Sequence, residues 1–70
     1  MNMKTNSFDR LLGQHCKIVL KESNEERTHI IIGRIHEVDH GAKFIIIKTF
    51  DGFGCINFDA IIAIKPKTLV

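Results

Sequence analysis

The densest group of potentially reactive side chains is His36-Glu37-Val38-Asp39-His40, a literal H-E-x-x-H. On a helix this spacing brings both imidazoles to one face, within about 6 Å, where they share a metal and the glutamate acts as general base. Here the pattern closes a run rich in β-branched residues, Ile30-Ile31-Ile32-Gly33-Arg34-Ile35, and Gly41 follows at once. On a strand the two histidines stand roughly 13 Å apart, too far for one metal. No third ligand falls at a suitable position, so the motif reads as a strand end and its turn. His15 and His29 are scattered and read as surface residues. Cys16 and Cys55 are too few for a disulfide framework and lack metal-site spacing, which leaves two reduced thiols on different strands. No Ser-His-Asp or Cys-His arrangement is evident, and the glycines form no phosphate-cradling loop. These residues predict a binding protein rather than an enzyme, with no cofactor and no metal.

In its HExDH form the motif is similar to that of peptide deformylases. The chain lacks the accompanying cysteine motif, since Cys16 sits in Gly-Gln-His-Cys-Lys, and at 70 residues it is less than half the necessary length.

The elements that must position any site are mostly strands. Residues 1–7 carry no periodic signal and read as a flexible arm, leaving one domain over 8–70. Phe8, Leu11 and Leu12 fall at i, i+3 and i+4, which predicts a short α-helix capped near Asn6 or Ser7 and ended by Gly13. Cys16, Ile18 and Leu20 then alternate with Lys17, Val19 and Lys21, the period of a strand. Glu22–Arg27 is a polar loop. A second strand runs from Thr28 to about Val38, a third over Lys43–Thr49, a fourth over Gly54–Asn57 and a fifth over Ala60–Ile64. Asp51-Gly52 is a hairpin signal, and Pro66 stops the last strand. The expected fold is all-β: a small, strongly bent five-stranded SH3-like barrel behind a short N-terminal α-helix. The isoleucine runs put apolar side chains on both strand faces, whereas a barrel this small has one interior. The second face is therefore expected under the helix or against another subunit.

Seventy residues allow one small core. A hydrophobic fraction of 44% excludes a disordered chain, and no apolar run is long enough for a membrane span. The start, MNMKTNSFDR, has no apolar secretory core, so the chain is expected to be mature and cytoplasmic. A net charge of +2 permits a polyanionic partner without demanding one.

From Leu11 to Pro66 the pattern resembles the Sm/LSm family, including its bacterial Hfq branch. The residues carrying the likeness are Gly13-Gln-His-Cys-Lys-Ile18-Val-Leu20, Gly33-Arg-Ile35-His-Glu-Val38-Asp39, Phe44-Ile-Ile-Ile-Lys48 and Ile56-Asn57-Phe58-Asp59-Ala60-Ile61-Ile62-Ala63-Ile64. The resemblance implies a homo-oligomeric ring of six or seven subunits, joined by the fourth strand of one and the fifth of the next. It also implies single-stranded, often U-rich RNA at a central pore, held by the loop after Asp39 and the loop before the last strand. The site residues it suggests are Asp39, Lys43, Asn57, Phe58 and Asp59. The sequence departs from the family where contacts are made. Lys43 stands in place of a base-contacting asparagine, and Gly41 in place of a stacking residue. Asn57-Phe58-Asp59 replaces an Arg-Gly-Asp-like or Tyr-Lys-His triplet. Phe58 could stack on a base or belong to the core, Asn57 could hydrogen-bond a base, and Asp59 puts negative charge where phosphate would pass. The competing expectation is an SH3-like module for protein–protein contact with no nucleic-acid role.

Overall fold

The computed structural model describes residues 5–67. Of the arm expected over 1–7, residues 1–4 lie outside the described residues. Five strands follow a 3₁₀ segment at Thr5–Leu11: β1 (His15–Leu20), β2 (His29–Asp39), β3 (Phe44–Thr49), β4 (Gly52–Asn57) and β5 (Ile61–Pro66), with a second 3₁₀ turn at Phe58–Ala60. They form one antiparallel sheet in the order β4-β3-β2-β1-β5. Among the described residues no helix is long and apolar enough to cross a membrane.

The expected N-terminal α-helix is corrected to this 3₁₀ segment. Side chains at i and i+3 eclipse in a 3₁₀ helix, whereas an α-helix also aligns i+4. Accordingly Phe8 is buried and Leu11 packs against the core, while Leu12 is 46% exposed. Gly13 turns the chain at φ +80° and donates its N–H to Ile35 O (2.8 Å), tying the segment to β2.

Period-two alternation sorts the strands as expected. Cys16, Ile18, Leu20, Ile35, Ile45, Ile47 and Ile56 are buried together with Phe8 and Ala60. Their opposite-face neighbours are not covered by the N-terminal segment: Ile30, Ile32, Phe53 and Ile62 are exposed. Two irregularities bend the sheet. The β2–β3 register shifts between Ile35 and Glu37, leaving His36 as the extra residue, and the β1–β5 register shifts between Val19 and Leu20. Gly33 lies where β2 runs against Lys48 O and the Ile47 side chain of β3, with no room for a Cβ.

The β3–β4 hairpin turns one residue earlier than Asp51-Gly52 suggests. Thr49 pairs with Gly52, so Phe50 and Asp51 form the loop and Gly52 takes φ +133°. The Thr49 hydroxyl supports this register, its one proton lying between two acceptors, Asp51 Oδ1 (2.6 Å) and Gly52 O (2.9 Å). Phe50 is left at the tip, fully exposed.

Burial pushes the Cys16 thiol above its ordinary pKa, and its Sγ lies 3.6 Å from Gln14 O, whereas Cys55 is exposed on β4. Maleimide titration of the native protein should label Cys55 rapidly and Cys16 only after unfolding. Because the folded-state pKa of Cys16 is raised, its contribution to stability is intact below the ordinary thiol pKa and fades as pH climbs through the folded value. The urea midpoint of the wild type should therefore fall more between neutral and strongly alkaline pH than that of Cys16→Ala.

Candidate nucleic-acid interface

The two loops nominated by sequence meet at one end of the sheet. Asp39 closes β2 and pairs with Phe44, and its Oδ1 accepts the Ala42 N–H at 2.9 Å, so the carboxylate is spent on shaping its own turn. That turn drives Lys43 to φ 62°, the one non-glycine residue with positive φ among those described. Lys43 O then accepts the Phe58 N–H at 2.9 Å, and Asn57 pairs with Phe44, which stitches the end of β4 to the β2–β3 loop.

Their backbones converge, but the five nominated side chains do not. Phe58 is half-buried, edge-on to Phe8 (ring centroids 5.0 Å apart) and to His40 (5.9 Å), and it packs against the core. Asn57 and Asp59 are exposed and line a cleft of about 270 Å³ with Lys21, Glu22, Ser23 and Ala60. Lys21 is fixed there by its N–H to Ala60 O, 2.8 Å. Lys43 is exposed at the loop end. The arrangement offers two lysines for phosphate, Lys43 at the loop end and Lys21 in the cleft, with an amide for a base edge and a half-covered aromatic ring.

Sequence reading missed the contacts made by His40, Asp9 and Phe8. His40 Nε2 lies 2.9 Å from Asp9 Oδ1, and its ring lies against Phe58, so the 3₁₀ segment, the β2–β3 loop and the β4–β5 turn are joined at one point. Both partners of the His40–Asp9 pair are largely exposed, which limits its contribution to at most about 1 kcal/mol. Only the aromatic residue types hinted at this cluster, because its members are far apart in the chain. His36 sits on β2 and His40 in the following turn, as the strand reading of His36–His40 requires. Among the described residues no three His, Cys, Asp or Glu side chains gather to hold a metal.

The strained Lys43 supplies a test. A left-handed conformation costs a non-glycine residue roughly 1–2 kcal/mol, part of which is returned by the smaller unfolded-state entropy of lysine relative to glycine. Lys43→Gly should therefore raise the melting temperature by a few degrees, read by circular dichroism. If Lys43 contacts phosphate, the same change should flatten the salt dependence of RNA binding by about one unit of log–log slope.

Comparison of the chain with protein-family models, with curated proteins and with solved structures gives no match.

Proposed function

We propose that the chain is a ring-forming, Sm-like RNA-binding protein. Its five strands curl into a strongly bent SH3-like barrel, and six or seven copies close a ring, β4 of one subunit against β5 of the next. Single-stranded RNA, U-rich by preference, is held without catalysis by Lys43, Asn57 and Phe58, with Asp39 and Asp59 shaping and limiting the site. The observation that carries this reading is the strand order. β4 and β5 are the outermost strands, six residues each, and each pairs on one side only. Open edges invite pairing with another chain, and a head-to-tail contact that closes on itself gives a cyclic assembly. The Phe58–Lys43 backbone bond supports it too, because it puts both nominated loops at the same end of the sheet.

The test is a titration of the full-length chain with labelled oligo(U) at several salt concentrations. The reading expects micromolar or tighter binding that weakens steadily as salt rises. No detectable binding at low salt overturns it. The alternative, a module for protein contact without a nucleic-acid role, is favoured by the carboxylates of Asp9, Asp39 and Asp59 around the loops, which repel phosphate.

A further inference from the structure

A second surface lies on the opposite face of the strands from the core, and the strand register builds it. His15, Arg34, Lys48 and Phe53 are directly opposite one another in turn across β1, β2, β3 and β4. On the neighbouring strand pair, Lys17 faces Lys65. Like charges directly opposite across a sheet destabilise it. None of these cations has a carboxylate partner, since the ion pairs among the described residues are His29–Glu25 and His40–Asp9, although Lys48 lies over the Phe53 ring. The register thus sets two cation pairs side by side on this face, Arg34 with Lys48 and Lys17 with Lys65, and gives it a positive charge.

Beside these cations the sheet opens. From His29 to Gly33, β2 pairs with β1 alone, and β3 joins it only at Arg34. The other edge of that half-strand faces the β3–β4 hairpin tip across two adjoining hollows of about 680 and 470 Å³, which share Ile30, Ile32, Thr49 and Phe50. Arg34 and Lys48 stand at one end and Asp51 at the other. Ile30 is 58% exposed, Phe53 61% and Phe50 wholly so.

We propose that this groove binds an extended peptide segment of a partner protein, apolar along its length and acidic at one end. The peptide main chain pairs with the open His29–Ile32 edge of β2, its apolar side chains cover Ile30, Ile32 and Phe50, and its carboxylates meet Arg34 and Lys48. Adding a strand to an open edge draws affinity from backbone hydrogen bonds and specificity from alternate side chains. Several features select this occupant. A strand edge presents N–H and C=O groups in the spacing of another peptide backbone. The floor is mostly aliphatic, and Phe50 alone offers a free ring face, whereas holding a run of bases takes successive rings. The Phe53 ring is already engaged, with Lys48 Nζ 5.1 Å from its centroid and the His36 ring edge-on at 5.0 Å. A second copy of this face would bring cation against cation. The chain's own acidic loop, Glu22–Arg27, has no apolar residue to fill the groove.

The test uses the full-length chain and a fluorescein-labelled decapeptide of alternating valine and threonine ending in four glutamates, read by anisotropy. The control peptide ends in four lysines, and oligo(U) serves as competitor. The proposal expects saturable binding of the acidic peptide and none of the lysine peptide. The double variant Arg34→Glu/Lys48→Glu should weaken it at least about tenfold. Phe50→Ser, which removes a fully exposed side chain and so leaves the fold intact, should weaken it about fivefold. Lys43→Gly should leave peptide binding unchanged, which separates this groove from the RNA reading. Equal affinity for the two peptides, or undiminished binding by the double variant, overturns the proposal. So does oligo(U) binding that the acidic peptide displaces and the double variant loses, which would assign the face to nucleic acid.

Discussion

Gly33→Ala should destabilise the protein by about 3 kcal/mol, the upper part of the range for forcing an extra carbon into a packed site. An added Cβ would lie 2.5 Å from Lys48 O and 2.9 Å from Ile47 Cγ1. The first of these is backbone, and withdrawing it breaks the Arg34–Lys48 register that holds β2 to β3. The sign is what makes the experiment decisive. Within an ordinary strand, replacing glycine by alanine removes unfolded-chain entropy and stabilises by roughly 0.5–1 kcal/mol. A chain of this length has a total stability of roughly 4–10 kcal/mol, so the melting temperature should drop on the order of 15 °C. A rise, or no change, in thermal melts would mean that the strands do not approach as described.

Ile45→Ala is expected to cost about 2–5 kcal/mol, the range for truncating a fully buried aliphatic side chain. Ile45 is 0% exposed at the centre of the core, opposite Val38 on β2 and Ile56 on β4. Ile30→Ala, in an equally isoleucine-rich run but on the exposed face, should change stability by no more than about 0.5 kcal/mol. Paired urea denaturation curves read both. Similar losses at the two positions would show that the outer face is covered in solution and that the isolated chain does not describe its burial.

Much of the fold was legible because strand periodicity is local. Cys16, Ile18 and Leu20 declare their face by alternation alone, whereas β5 runs past the expected end at Ile64 to Pro66, and Lys67 still donates its N–H to His15 O (2.7 Å). The errors came from competing local signals. Phe8, Leu11 and Leu12 fit an α-helix, yet only the i, i+3 pair reaches the core. Asp51-Gly52 is a strong turn pair, yet the loop falls at Phe50-Asp51, a register the Thr49 hydroxyl supports. The candidate site was legible as two loops, through the likeness to a family whose loops meet. It was not legible as side-chain geometry, since neither Asp39 capping its own turn nor Phe58 wedged against Phe8 and His40 follows from spacing. The cation rows were hidden altogether. Arg34 and Lys48 become neighbours only through the β2–β3 register, and a single β-bulge at His36 is enough to decide which side chains share a face.

The central claim is that the open edges of β4 and β5 join copies of this chain into a closed ring. The most direct measurement is native mass by light scattering on a sizing column at physiological salt. Six or seven copies of an 8.0 kDa chain predict a single species of roughly 48–56 kDa, unchanged on dilution across the micromolar range. A monomer or dimer, or a mass that climbs continuously with concentration, would contradict it.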